Sequence, residues 1–224
     1  SVQLQNRQQQ GRDGVWLDLP TTAKQVPAAL RKIGISSDNP QSLFISGYFA
    51  EEEKRFAIPY NMVLASNVDE LNFLASRLET LSTGERAELN AALQAPQSEL
   101  SSIGRIADFP ENVDYYVHLP DVRGPAQLGD YYLSRSGMVD MPEEWKGGID
   151  TAQFGRYVAQ QELGVFTEYG YLVKSGDAWQ KVHEGQPVPE EYRVLSFPAP
   201  EVMRDSANIP PPVQPETEPQ KAIP

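Results

Sequence analysis

Residues 66–93 read SNVDELNFLASRLETLSTGERAELNAAL, and the spacing of apolar residues in this stretch decides the fold of the middle of the chain. Apolar residues recur every three or four positions, which predicts an amphipathic helix with one buried face. That face consists of Leu71, Leu74, Ala75, Leu78 and Leu81. Phe73 falls toward the polar side of the helix, so we expect it to pack on another element or to mark a contact.

Capping-box spacing predicts two helix starts in this stretch. Ser66 precedes Asp69 by three residues, and Ser82 precedes Glu85 by three residues. In a capping box the hydroxyl accepts a hydrogen bond from one backbone N–H, and the acid accepts one from the backbone N–H of the capping residue. The stretch is therefore predicted to form two helices in a hairpin, which Pro96 ends.

Strands and helices are predicted on both sides of the hairpin from alternating or helical apolar spacing. The predicted strands are 1–7, 14–19, 42–49, 112–119, 164–176 and 178–185. The further predicted helices are 23–34, a short one near 98–109, 125–138 and 149–163. The fold class predicted from this order is α+β.

The predicted organisation is an elongated chain of three small domains followed by a tail. The segments are a β-β-α-β domain (1–62), a helical middle domain (63–111), an α+β domain (112–190) and a proline-rich tail (191–224). Eight prolines and few apolar anchors lie between residues 198 and 224, which is typical of a disordered segment.

The charge of the chain is unevenly distributed. The formal net charge is −12. Residues 1–60 hold six acids and seven bases, whereas residues 61–120 hold nine acids and three bases, and residues 121–190 hold eleven acids and six bases. A chain with this charge repels nucleic acid, and a strongly basic partner complements it.

The sequence carries no motif of a known catalytic or cofactor site. Gly-rich phosphate loops, dinucleotide fingerprints and nucleophile elbows are missing, and there is no Cys to bind metal or act as a nucleophile. The two histidines, His118 and His183, are interpreted as strand residues. We therefore predict a protein that is not an enzyme, with no catalytic residue, cofactor or metal. The chain also lacks a long apolar run and the regions of a signal peptide, which favours the cytoplasm.

Several short motifs occur in an order that resembles one known family. These motifs are GVWLDLP, FISGYF, DELN followed by LA, LGDYYLSRSGM, IDTAQFGRYV and GVFTEYGYLV. Over about residues 1–176 the chain resembles the ArdA antirestriction family, DNA mimics carried by bacterial mobile elements. Family members tend to have an aromatic and acidic stretch where this chain has DTAQFGR, in which Asp150 is the only acid.

The resemblance implies a mechanism and a partner. ArdA-like proteins are elongated, three-domained and usually dimeric, and they occupy the DNA-binding groove of type I restriction-modification enzymes without a cofactor. Their carboxylates stand where duplex DNA presents phosphates, which protects incoming mobile DNA in the bacterial host. A cytoplasmic homodimer that binds neither nucleic acid nor membrane is therefore expected.

Fifteen acids of the middle and C-terminal regions are predicted to form the DNA-mimicking surface. They are Asp69, Glu70, Glu79, Glu85, Glu88, Glu99, Asp108, Glu111, Asp114, Asp121, Asp130, Asp140, Glu143, Glu144 and Asp150. In the opening hairpin, Asp69 and Glu85 have capping roles, so Glu79 and Glu88 are the acids that local structure explains least.

Two other interpretations fit the same sequence. In the first, the chain is an acidic adaptor whose acids serve solvation and whose proline-rich tail recruits a partner. In the second, it is a DNA mimic directed at another basic DNA-binding protein. The sequence does not decide between these and the type I enzyme.

Overall fold

The chain is described from a computed structural model, which describes residues 1–9, 13–96 and 98–198. Residues 199–224, most of the predicted tail, lie outside the described residues, as does the centre of the polar turn between the first two strands. The α+β fold class is confirmed, because helices occur together with two three-stranded antiparallel sheets. Within the described part of the chain, no helix is both long and apolar enough to cross a membrane.

The strands and helices are numbered here in chain order. The strands are β1 (Val2–Asn6), β2 (Val15–Leu17), β3 (Leu43–Tyr48), β4 (Tyr116–Leu119), β5 (Val165–Thr167) and β6 (Gly170–Lys174). The helices are α1 (Val26–Lys32), α2 (Tyr60–Leu64), α3 (Val68–Glu79), α4 (Thr83–Gln94), α5 (Ile103–Ala107), α6 (Pro125–Asp130), α7 (Glu143–Lys146) and α8 (Thr151–Glu162). A π turn, Tyr131–Arg135, continues α6.

The first sheet has the order β2-β1-β3, with both pairs antiparallel. Alternation along β1 places Val2 and Leu4 on the buried face and Gln3 and Gln5 on the outer face. Helix α1 contributes the buried Val26, Ala29 and Leu30 to the same core cluster, as its helical spacing predicts. On the outer face, Tyr60 of α2 lies against β3 and donates its hydroxyl hydrogen to Ser46 O at 3.0 Å.

The helical hairpin is confirmed as α3 and α4, and the second capping box is confirmed at Ser82 and Glu85. The first capping box is one residue later than predicted, because Asn67 caps α3 and pairs with Glu70. This start places Val68, which is almost fully buried, on the core face of the helix.

The predicted apolar face is confirmed at Leu71, Leu74 and Leu78 of α3 and at Leu81 just after its end, which are all buried, whereas Ala75 is half-buried. Phe73 packs on another element, as expected from its position. Its ring lies 4.9 Å from the His183 ring and 5.0 Å from the Tyr192 ring, measured between centroids.

The second sheet has the order β4-β6-β5. The residues predicted as one strand, 164–176, form a hairpin of two strands, β5 and β6. The chain turns just before β6, whose first residue, Gly170, has a φ of 130°. The predicted strand at 178–185 is wrong. Its backbone N–H groups bind side chains instead of a neighbouring strand: Gln180 N donates to Asn112 Oδ1 at 2.7 Å, and His183 N donates to Asp108 Oδ1 at 2.6 Å.

Helices α6 and α8 approach each other closely through two glycines. A Cβ at Gly129 would lie 1.9 Å from Thr151 O, and a Cβ at Gly155 would lie 1.9 Å from Pro125 O. Either distance is far inside van der Waals contact, so a larger residue would force the two helices apart. The sequences LGD and FGR thus mark the contact between these helices.

Residues 179–198, called here the closing segment, return across the helical region to the first sheet's unit. Val194 is buried in the same cluster as Val2 and Leu89, and Tyr192 and Phe197 pack against that cluster. At the end of the described chain, Ser37 N donates to Pro198 O at 2.9 Å. This core cluster contains residues from all three predicted domains and from residues 191–198.

Candidate functional site

Five of the fifteen predicted acids are exposed, and the structure gives their side chains no hydrogen bond or ion pair with any described residue. They are Glu79, Asp114, Asp121, Asp140 and Glu144. Their carboxylates are available to a partner without breaking an internal contact. The absence of such contacts at Glu79 agrees with the expectation that this acid has no local structural role.

Two acids of the hairpin have local roles. Glu70 and Glu85 each accept a hydrogen bond from the backbone N–H of their capping residue, at 3.0 and 2.7 Å. The hydrogen bonds from Ser82 hold the pKa of Glu85 below its usual value. Both acids lie in the first turn of a helix, where the helix dipole favours a negative charge.

Asp69 and Asp108 bind the closing segment. Asp69 Oδ1 accepts hydrogen bonds from Val194 N and Leu195 N, both at 2.7 Å. Asp108 is fully buried, and its two oxygens accept from His183 N and from the next backbone N–H. These carboxylates hold the fold together, and Asp108 cannot contact a partner.

Glu99 lies in a network of charged groups. It accepts hydrogen bonds from Arg105 Nη1 at 2.7 Å, from Lys174 Nζ at 3.1 Å and from the Tyr115 hydroxyl at 3.1 Å. The Lys174 contact is the main reason why the pKa of Glu99 is lowered. Arg105 also binds Glu184 at 2.7 Å, an acid that the sequence did not single out.

Four further predicted acids lie at the surface with a partner. Glu111 pairs with Arg77, Asp130 pairs with Arg135 and Glu143 pairs with Lys146. Asp150 caps α8 by accepting from Gln153 N at 2.9 Å. The Asp130–Arg135 pair is exposed on both sides and therefore weak, so a partner's cation can replace Arg135 at small cost. The Arg77 and Lys146 side chains are only 20% and 18% exposed.

Glu88 differs from the other acids because its carboxyl is half-buried. Its Oε1 atom is shielded from water and has no hydrogen-bond partner among the described residues. Burial, followed by the nearby Glu85 and Asp114 carboxylates, raises the pKa of Glu88 to about 8. The carboxyl is therefore mostly protonated at neutral pH and adds little charge to the surface.

The bases of residues 61–120 turn inward, whereas three of the nine acids of this region, Glu79, Glu111 and Asp114, are exposed. This region has three bases, and each donates to a backbone carbonyl: Arg77 to Ala107 O at 3.2 Å, Arg86 to Leu81 O at 3.1 Å, and Arg105 to Glu99 O at 3.1 Å. Their side chains fill helix ends and gaps between helices. The charged residues of this region that are exposed are therefore all acids.

Two groups of acids were missed by the sequence reasoning. Four exposed acids follow the last predicted one, namely Glu168, Asp177, Glu190 and Glu191, and their only sequence signal is the continuing excess of acid. Glu162, at the end of α8, accepts hydrogen bonds from the hydroxyls of Tyr132 and Tyr171. Burial, followed by this carboxylate, raises the pKa of both tyrosines. No local pattern in the sequence indicates this cluster.

The site has no grouping suited to a metal ion, since the described residues include no cluster of three His, Asp or Glu with that geometry. The two histidines are also apart. His118 lies in β4 with Nε2 2.9 Å from Tyr169 O, whereas His183 lies outside any strand, against Phe73, so the strand interpretation is wrong for His183. What the site offers is a set of exposed carboxylates, which residues 121–190 present together with exposed cations such as Arg123, Arg156 and Lys181.

Comparison with known proteins gives one family. A family model described as an antirestriction protein, ArdA, matches residues 10–173, which is 164 of the 224 residues. No curated protein matches the chain.

Proposed function

Because the chain belongs to the ArdA family of antirestriction proteins, we propose that it inhibits a type I restriction-modification enzyme by occupying its DNA-binding groove as an acidic mimic of duplex DNA. One observation carries this proposal: the bases of residues 61–120 are drawn into the structure while acids such as Glu79 and Asp114 face outward. A groove that binds DNA phosphates is rich in Lys and Arg, and those cations would bind the exposed carboxylates.

The charge of the chain is sufficient for this role in a homodimer, which is part of the proposal. Two chains carry twice the net charge of −12, or 24 negative charges. Duplex DNA carries about one charge per 1.7 Å, so this corresponds to roughly 40 Å of duplex. That length is a little more than one helical turn, which is enough to cover a substantial part of a DNA-binding groove.

The test is competition for DNA. Purified protein is added to a type I enzyme bound to labelled target duplex, and release of the duplex is followed by fluorescence anisotropy. We expect displacement at low salt that weakens as salt rises, because the ion pairs with the groove are screened. Absence of displacement at low salt from several type I enzymes would overturn the proposal, and displacement from a different basic DNA-binding protein would redirect it to that target.

A matched pair of variants separates the exposed acids from total charge. The first variant combines Glu79→Gln, Asp114→Asn and Asp121→Asn in the middle and C-terminal regions. The control combines Asp13→Asn, Asp38→Asn and Glu52→Gln, which are exposed acids of the neutral first unit. At about 0.5 kcal/mol for each lost ion pair, the first variant should inhibit about tenfold more weakly for each chain that contacts the groove. Equal losses in the two variants would show that only net charge matters.

A further inference from the structure

The outer face of the first sheet carries aromatic side chains that the antirestriction proposal does not use. Trp16 is 50% exposed and Tyr60 is 52% exposed. Trp16 is the direct partner of Gln3 on the neighbouring strand, and Gln3 is the direct partner of Gly47 on the next strand. Directly paired residues share a face of a sheet, so Trp16, Gln3 and Gly47 form one row across it.

Tyr60 completes this row from outside the sheet. Its hydroxyl donates to Ser46 O at 3.0 Å, and a Cβ at Gly47 would lie 3.2 Å from that hydroxyl oxygen. The ring therefore comes over Gly47 at one edge of the sheet, while Trp16 stands at the other edge. We call Trp16, Gln3, Gly47 and Tyr60 the aromatic row.

The floor between the two rings is polar. Gly47 has no side chain and is buried beneath the Tyr60 hydroxyl, and Gln3 is half-buried. The Ser46 hydroxyl donates to Gln3 Oε1 at 2.9 Å, and the structure gives the Nε2 group of Gln3 no acceptor among the described residues. A ligand that lies between the rings would thus be able to accept hydrogen bonds from the two N–H groups of the Gln3 side-chain amide.

This geometry fits a polyproline II helix. Two strand spacings of about 4.8 Å separate the edges of the row by roughly 9.6 Å. A polyproline II helix rises about 3.1 Å per residue with three residues per turn, so its repeat is roughly 9.3 Å. Its backbone carbonyls are all unpaired, and grooves lined with aromatic side chains are the usual receptors for it.

The same chain contains a segment with the matching pattern. Residues 209–215 read IPPPVQP. In a polyproline II helix the residues Ile209, Pro212 and Pro215 would lie along one edge, because they are three residues apart. Pro198 is the last residue of the closing segment. The 11 residues between Pro198 and Pro210 can span up to about 40 Å.

The point of attachment places this segment within reach of the aromatic row. Pro198 is fixed to Ser37, which lies in the same unit as the first sheet. A unit of 60 residues has a radius of gyration of about 10 Å, so a path of about 40 Å reaches the opposite side of it. Charge also matches, since residues 205–220 hold three acids and no base, whereas residues 1–60 have a net charge of +1.

We propose that the aromatic row binds the proline-rich segment 209–215 of the same chain. The short connection gives the segment a high effective concentration at the row, so a weak interaction is enough to occupy it. The bound segment would cover the exposed part of the Trp16 ring. This inference does not depend on the antirestriction proposal.

The test uses the full chain labelled with 5-fluorotryptophan, whose three indoles are resolved by fluorine NMR. Each resonance is assigned from a Trp→Phe variant, and the exposure of each ring is measured from its shift between H2O and D2O. Trp145, which is 66% exposed and lies outside the row, is the internal reference. The test variant combines Pro212→Ala and Pro215→Ala, and the control combines Pro200→Ala and Pro219→Ala. None of these positions lies in the described core.

In the parent chain we expect the isotope shift of Trp16 to be well below that of Trp145. In the test variant the ratio of the two shifts should rise to about three quarters, the ratio of their exposed fractions of 50% and 66%. The control should behave like the parent. An unchanged Trp16 in the test variant would overturn the proposal, as would a change confined to Trp145. A Trp16 shift that depends on dilution would show that a second copy supplies the segment, which also overturns binding within one chain.

Discussion

Replacing Glu88 by Gln should stabilise the protein at alkaline pH and have no effect at acidic pH. Gln has nearly the same shape as Glu but never ionises. In the native chain the Glu88 carboxyl is half-buried, its Oε1 atom has no hydrogen-bond partner among the described residues, and Glu85 and Asp114 stand nearby. Ionisation of Glu88 in the folded state is therefore costly, and the variant removes that cost.

The direction and size of the effect follow from linkage. The pKa is about 8 in the folded state and 4.5 in the unfolded state. Between these values the folded state keeps a proton that the unfolded state has lost, so the free energy of unfolding falls as pH rises. The full shift corresponds to about 5 kcal/mol at 1.36 kcal/mol per pKa unit. Since water screens a carboxyl that is only half-buried, we expect about 1–3 kcal/mol.

The assay is urea denaturation of the parent and of Glu88→Gln at pH 4.5 and above pH 8. Glu79→Gln is the matched control, because it removes the same charge from an exposed carboxylate on the neighbouring helix. We expect the stability of Glu88→Gln relative to the parent to grow with pH, and the control to show a small difference that changes little. A difference for Glu88→Gln that is independent of pH, or that equals the control's, would refute this reasoning.

Three other substitutions test the packing, measured by the same denaturation at pH 7. Gly155→Ala should destabilise the protein by about 3 kcal/mol, because its Cβ would lie 1.9 Å from a carbonyl oxygen of α6; a neutral effect would mean that the helices separate easily. Asn67→Ala should cost about 1 kcal/mol as the loss of a helix cap, and Ser66→Ala clearly less; equal costs would move the cap to Ser66. Asp108→Asn should cost about 1–3 kcal/mol, because the amide keeps only one of two acceptor oxygens; unchanged stability would contradict the structural role of Asp108.

The predictions that succeeded depend on local patterns. The buried leucines of α3 repeat at helical spacing, and the capping box of Ser82 and Glu85 marks the start of α4. The cap of α3 was misplaced by one residue because Ser66 and Asn67 are both good caps, and each has an acid three residues later. Tertiary and neighbouring contacts select Asn67: Val68 is buried, Asp69 binds the closing segment, and the Ser66 hydroxyl donates to Met62 O.

The roles of the acids could not be predicted, because they depend on contacts between distant parts of the chain. Asp69 binds backbone N–H groups about 125 residues later, and Asp108 binds groups about 75 residues later. In the sequence, Asp69 and Asp108 are acids of a helical region, and no local pattern distinguishes them from Glu79. The total charge was therefore readable from sequence, but its division between the interior and the surface was not.

The closing segment has a consequence for the order of events on the ribosome. Asp69 and Asp108 are synthesised well before the backbone groups that they bind at residues 183–195. At about 5–20 residues per second, the interval between Asp108 and His183 is roughly 4–15 s. During that time the nascent chain holds a buried carboxylate and the Phe73 ring without their partners. The first two thirds of this chain can therefore reach their native packing only after the closing segment has been translated.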